Sequence, residues 1–416
     1  MIEIRGEYNT AKILVEDDSK VEESARKQVY DLLNQVFIKD ENIVIMPDIH
    51  SGKGCVIGYT QTLKHKRVVP NLVGVDIGCA ITFCKISKEV GDRVFNKPGL
   101  EKLDKLIRQE IPLGMKHRKD NHPFVNKVQL HQIKAKGINI EKVKPALGSL
   151  GGGNHFIEVG KDSQGDYYIQ IHSGSRNLGV MICSYYQQLA ITYHKNIQET
   201  QRKQKQTEIV ENCKKLGREK NISEELQKLK EQFPSVPDHF AYLENQDFDN
   251  YLHDMKITQE FAIWNREAML DVILKGMGIK KNQVLEVVHS IHNYIDTDIM
   301  ILRKGSTSLR KDEKAVIPLN MRDGSLIVVG KGNETYNSSG PHGAGRLMSR
   351  SEAKETLKME DFKAAMKDIY TTSVSTSTID EAPGAYKPAE SIISQISELC
   401  DIIEVVKPIY NLKASD

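Results

Sequence analysis

Glycine and proline are unevenly spread along this 416-residue chain, gathering in short runs beside apolar, β-rich stretches over residues 43–86, 146–180 and 286–345. Such runs read as strands that end in tight loops, because glycine adopts backbone conformations other residues avoid and lets main chain approach a ligand closely. Residues 195–245 have a different character. Lys, Glu and Gln dominate there, and an apolar residue recurs only every third or fourth position (Ile209, Val210, Leu216, Leu226, Leu229), which predicts an exposed helical hairpin inserted into the fold. A further helix is expected over 251–275, where Phe261, Trp264, Ala268 and Val272 fall at helical spacing. The blocks follow no βαβ rhythm and no linker composition divides them. The expected class is therefore α+β: one large domain over 1–416, with mixed and antiparallel sheets, peripheral helices and the 195–245 insertion.

Composition narrows the function only by exclusion. With 39% hydrophobic and 27% charged residues the chain can bury a large core without disulfides, and its six cysteines contain no C-x-x-C pair that would mark a zinc knuckle. A formal net charge of +2 does not mark a nucleic-acid binder, so any RNA would have to meet a local basic surface. No run of about 18 apolar residues occurs, and MIEIRGEYNT lacks the pattern of a secretory signal, so a cytoplasmic protein without a membrane association is expected.

The histidines carry the chemical signal. Of thirteen, five sit inside the glycine-rich segments: His50 in PDIHSGKG, His155 in GGGNHFIEV, His172 in IQIHSGSRNLG, His292 in HSIHNYID and His342 in GPHGAGRLMSR. One histidine alone is usually a satisfied surface or core group; several beside glycines are the raw material of a metal site. VGVDIGC sets Asp76 and Cys79 three residues apart on a glycine turn, where carboxylate and thiolate can converge on a cation, although a buried cysteine on a strand reads equally well from spacing alone. Thiolate, imidazole and carboxylate together suit a borderline divalent ion, and the sheets are expected to surround a metal-binding cleft. At His342, Arg346 and Arg350 follow at four-residue spacing on an expected helix start, a setting for phosphate in which an imidazole can act as a nucleophile. Two common phosphate devices are missing. SGKG at 51–54 lacks the P-loop spacing, and Met321 stands where a K-x-D-G nucleotidyl-transferase lysine would precede Asp323 and Gly324.

In this order, the segments PDIHSGKG, VGVDIGC, GSLGGGNHFIEV, HSGSRNLG, HNY, RKGS, GPHGAGRLMSR and EAPGAYK resemble the RtcB family of RNA ligases over nearly the whole chain. The resemblance implies an enzyme that uses GTP and two Mn2+ ions to join RNA 3′-phosphate or 2′,3′-cyclic phosphate ends to 5′-hydroxyl ends, in RNA repair or tRNA splicing, with an archease-like activator as a further partner. It implies one ion on Asp76, Cys79 and His155, the other on Cys79, His172 and His292, and His342 as the residue that carries GMP. Asn154, Phe156, Glu158, Ser325, Gly343, Ala344, Gly345, Arg346, Tyr386 and Lys413 take the nucleotide-binding positions. Asp48 is expected to orient the attacking hydroxyl, and Lys53, Arg176, Arg303, Lys304 and Arg310 to meet RNA phosphates.

Two places depart from the family pattern or leave it open. Where typical members read roughly IPGSMG, this chain has IPLNMRDGS, which retains Ser325 but changes a loop expected to touch the nucleotide. His289 precedes His292 by three residues, and Asn293 favours His292 as the ligand. The competing function is a metal-dependent phosphoesterase that activates water at the same cluster and never ligates.

Overall fold

A computed structural model describes residues 1–223, 225–226 and 236–414. Its three β-rich blocks, joined by strands from the first thirteen residues and from Cys400–Lys413, build two large sheets. The larger has seven strands in the order Lys314–Asn320, Gly324–Gly330, Cys400–Lys413, Phe156–Lys161, Tyr167–Ser173, Ala80–Ile86 and Val284–Ile291, and every neighbouring pair is antiparallel. The second has six strands, Ile2–Arg5, Thr10–Ile13, Ile43–His50, Ile57–Thr62, Ile301–Lys304 and Asn293–Asp296, with one parallel pair between Thr10–Ile13 and Ile43–His50. The class is thus α+β with mixed and antiparallel sheets, as the block pattern leads one to expect.

A short third sheet lies where the two large ones meet. Beyond Lys304 the chain turns at Gly305, and Ser306–Ser308 pairs antiparallel with Ser339–Pro341. Gly305 has φ +60, and a Cβ there would lie 2.2 Å from the Ile57 side chain, so only glycine makes this turn without displacing the neighbouring strand.

Two long helices cross the assembly. Asn245–Met277 extends the predicted 251–275 helix at both ends and buries residues from Phe248 to Met277 before stopping at Gly278, which is left-handed at φ 70. Arg176–Lys215 revises the reading of the insertion: what looked like a hairpin from residue 195 is partly the far half of a helix that starts nineteen positions earlier, directly after HSGS. Its buried residues run from Leu178 to Ala190 and none follows, so the later turns stand away from the core. Leu229 and its neighbours at 227–235 lie outside the described residues. Among the described residues no helix is long and apolar enough to cross a membrane.

Candidate active site

Strand register gathers the proposed ligands. Ala80 pairs with Ser173 on one side and Ile291 on the other, while Phe156 pairs with His172. Cys79, one residue before Ala80, His155, one before Phe156, and His292, one past Ile291, therefore leave their strands at the end of the sheet where His172 sits. The His292 N–H also donates to the Cys79 carbonyl at 3.0 Å.

The side chains close into a buried cluster. Cys79 Sγ lies 3.5 Å from His155 Nε2 and 3.4 Å from His172 Nε2, and His172 Nε2 lies 3.3 Å from His292 Nε2. His155 Nε2 is also 3.2 Å from Asp76 Oδ2. The donor atoms form two groups that share Cys79: one with His172 and His292, the other with Asp76 and His155. Imidazole nitrogens facing each other and a thiol at such separations set lone pairs against one another, which favours a shared proton or a cation. The residues thus fit a borderline divalent ion in each group.

Neighbouring groups prepare the donors. His155 Nδ1 donates to the Leu150 carbonyl at 3.1 Å, leaving the Nε2 lone pair toward Cys79. Burial pushes the pKa values of His172 and His292 well below the usual imidazole range and that of the Cys79 thiol well above its own. Neutral imidazole is the ligating form, and coordination reverses the thiol's preference by deprotonating it. Burial works to raise the Asp76 carboxyl, yet the neighbouring His155 ring and the Ser175 N–H, which donates to it at 3.0 Å, bring it below the usual range. His289, the alternative ligand, faces elsewhere: its Nδ1 is 2.7 Å from Thr82 Oγ1 and its Nε2 3.2 Å from Glu267.

His342 sits beside this cluster, its ring centroid 4.9 Å from that of His292. Asp48, fully buried at the end of the Ile43–His50 strand, binds it twice through Oδ2, at 2.7 Å from Nδ1 and 3.1 Å from the backbone N–H. A carboxylate only accepts, so Nδ1 carries the proton and Nε2 keeps its lone pair. Asp48 thus holds the histidine in position. His50 turns its Nδ1 to the Asp48 carbonyl at 2.8 Å, and burial pushes its pKa down to about 4.

From His342 a cleft of about 550 Å³ opens, a volume suited to a nucleotide. Asn154, Phe156, Glu158, Ser325, Gly343, Ala344, Gly345, Arg346, Tyr386 and Lys413 all line it. Glu158 is buried and accepts from Asn411 Nδ2 at 2.7 Å, and burial pushes its carboxyl up to about 8. The divergent IPLNMRDGS segment forms a hairpin between two strands, closed by Asn320 Oδ1 accepting from the Arg322 and Asp323 N–H groups, and its Leu319, Asn320 and Met321 also face the cleft.

Sequence reasoning overlooked the group that ties the far wall together. Glu381 is buried; it receives the Tyr386 hydroxyl at 2.6 Å and pairs with Lys413 and Arg350. Burial opposes its ionisation, but Lys413 and Arg350 hold its pKa down to about 2. Glu381 opens the EAPGAYK segment, so the signal was present but attention went to the tyrosine.

Other expectations need correcting. Arg346 precedes the helix and bridges to Tyr386; the helix itself begins at Arg350. Arg303 is fully buried, bound to Asp296, Tyr294, Ser339 and the carbonyls of Asn337 and Ser338. Lys304 is buried too, its Nζ on the carbonyls of Lys53 and Asn71. Arg310 pairs with Asp296 and Asp298, and Arg176 binds Ser149 Oγ and the Gly114 carbonyl. Arg303 and Lys304 are thus spent inside the protein, Arg176 and Arg310 are half-buried with their guanidinium groups already engaged, and Lys53 is exposed.

The fold and site define a class: an α+β protein whose buried thiol, imidazole and carboxylate centre, of metal-ligand composition, opens into a nucleotide-sized cleft. Comparison with known proteins gives the family. A model described as tRNA-splicing ligase RtcB matches residues 28–414. The RNA-splicing ligase RtcB of Escherichia coli (strain K12) is 30% identical, over 94% of this chain and 95% of that protein. The tRNA-splicing ligase RtcB of Nanoarchaeum equitans is 22% identical, over 90% and 88% of the two chains, and that of Thermococcus kodakarensis 24%, over 88% and 86%. The chain belongs to the RtcB family.

Proposed function

We propose that this chain is a GTP-dependent RNA ligase that joins a 3′-phosphate or 2′,3′-cyclic phosphate end to a 5′-hydroxyl end through guanylylated His342. Asp76, Cys79 and His155 would hold one manganese ion, and Cys79, His172 and His292 the other. The observation that carries the reading is the pairing of buried Asp48 with half-buried His342 at 2.7 Å, the imidazole ring lying against the cluster and the nucleotide-sized cleft beside it.

In this scheme His342 Nε2 attacks the α-phosphorus of GTP; the N–P bond forms as the P–O bond to pyrophosphate breaks. Asp48 keeps the proton on Nδ1, so the positive charge that the ring acquires develops beside a buried carboxylate. Bound ions would act as Lewis acids and offset charge on the pyrophosphate leaving group. An oxygen of the RNA 3′-phosphate then displaces His342 from phosphorus, leaving a 3′ end activated by GMP. Finally the 5′-hydroxyl oxygen attacks the RNA phosphorus, its proton passes to solvent, GMP departs and a 3′,5′-phosphodiester remains. A cyclic phosphate is first opened by hydrolysis. Glu158 suits the base-binding end, because the N–H groups of a guanine edge would draw its carboxyl into the ionised, accepting form. RNA repair and tRNA splicing both supply such ends, and an archease-like activator is the protein partner this reading implies.

Incubation with GTP labelled at its α-phosphate, together with manganese, tests the scheme. Covalent label on the wild-type chain and none on His342→Ala is the expected result. An unlabelled wild type that binds manganese and hydrolyses cyclic phosphate would establish the phosphoesterase in its place.

A further inference from the structure

Two adjacent residues of the Asn245–Met277 helix bind the loops on which the cluster is built, although neither is a proposed ligand. Asn265 Oδ1 accepts from the N–H groups of Gly148 and Ser149 at 2.7 and 3.0 Å, and its Nδ2 donates to Ser173 Oγ and the Gly174 carbonyl at 3.1 and 3.0 Å. Ser173 Oγ in turn donates to the Leu150 carbonyl, the same oxygen that receives His155 Nδ1. Arg266 Nη1 donates to the carbonyls of Gly78 and Ser173 at 3.0 and 2.9 Å, and Nε to Thr82 Oγ1 at 2.9 Å. Both side chains are fully buried.

These contacts span what strand pairing leaves free. Register fixes Ala80, Phe156, His172 and Ile291, but Asp76, Cys79 and His155 lie just beyond the strand ends. The helix also packs close to the Cys79 turn: a Cβ on Gly78 would lie 2.9 Å from Gln259 Cα. Arg266 is a buried cation with no carboxylate bonded to it among the described residues; the ionisable groups near it are Cys79, Asp76 and Glu267. A guanidinium in that position is costly unless the site itself balances it.

The geometry points to a clasp: Asn265 and Arg266 are positioning residues that fix the spacing of the loops bearing Asp76, Cys79, His155 and His172, and thereby set the affinity and coordination geometry of the metal centre. This rests on reading the cluster as a metal centre. It also accounts for His289, which links Thr82, a partner of Arg266, to Glu267.

The test uses the full chain freed of metal and titrated with Co2+, whose thiolate charge-transfer and d–d absorption bands report ligand geometry. Arg266→Met and Asn265→Ala should lower Co2+ affinity by about 10–100-fold, the usual effect of removing a group that orients a ligand, and should alter the bands. Arg266→Lys, which keeps the charge but not the fork, should fall between them and the wild type. Thr82→Val, nearly isosteric, removes one Arg266 partner and should weaken binding a few-fold in a protein whose melting temperature is kept; it carries the test if a larger change prevents folding. With excess metal, the folded variants should regain GMP labelling on His342. Wild-type affinity and spectrum in the folded variants would overturn the clasp and leave the ligase reading intact, whereas a wild type that takes up neither Co2+ nor Mn2+ would remove the metal centre and the clasp with it.

Discussion

At the scale of single residues, the Asp48–His342 contact decides which ring nitrogen keeps its lone pair, and so which would attack in the proposed reaction. With Asp48 accepting at 2.7 Å the proton rests on Nδ1. In Asp48→Asn the amide can donate to Nδ1 instead, which moves the proton to Nε2 and blocks attack. The rate of GMP attachment should fall on the order of 10³ to 10⁴-fold, the loss seen when an orienting aspartate is neutralised in a hydrolytic triad, and a time course with labelled GTP measures it. Glu158 makes a second case, through pH. Its carboxyl is raised from 4.5 to about 8, so between those values the folded chain holds a proton that the unfolded chain has lost. Fewer protons on the unfolded state mean that stability falls as pH rises across that window. Glu158→Gln should flatten this fall, seen as a smaller drop in melting temperature between pH 5 and pH 8, and weaken GTP binding if guanine donors face the carboxylate.

Elements show how far a sequence can be read and where it stops. The glycine-rich blocks gave strands and loops because period and punctuation are local properties. Whether Cys79 meets His172 depends on register between strands some ninety residues apart, which no local pattern contains. Helix 176–215 was cut short for a local reason: Gly179 reads as loop, yet a Cβ there would lie 2.8 Å from the Val75 carbonyl, so the glycine marks close packing inside a helix. Arg303 and Lys304 are read as phosphate contacts because the carbonyls that hold them, of Asn337 and Ser338 and of Lys53 and Asn71, come from distant segments. The loop after His342 makes its own demand. Gly345 has φ +73, and a Cβ would lie 2.6 Å from the Asp48 carbonyl. Gly345→Ala should cost about 1–2 kcal/mol from the left-handed backbone alone and slow GMP attachment by pushing on the Asp48 strand. Gly343→Ala, where φ is not positive and the nearest atom is 3.2 Å away, should cost less. Denaturant midpoints of the two variants make the comparison.

For the molecule as a whole, the cluster draws on distant stretches of chain: the turn at residues 76–79, the segment leading to His155, the strand that carries His172 and the crossing at His292. Ions held there would join segments that the unfolded chain keeps far apart, so metal should act as a cross-link on stability as well as a reagent. A ligand at a hundred times its dissociation constant stabilises by about 2.7 kcal/mol. With an unfolding entropy of about 2.1 cal/mol/K per residue, a chain of 416 residues should then melt roughly 3 °C higher than the chelated form. Two ions would add to this, and Cys79→Ser should lose most of it, because Cys79 belongs to both donor groups. Calorimetry of the wild type and Cys79→Ser, each with chelator and with excess Mn2+, provides the four melting temperatures needed. If chelation moves neither protein, the buried imidazoles are packing for the sheet end and the case for a metal-supported His342 fails; if it moves the wild type alone, the bridging role of one thiol is established independently of any turnover.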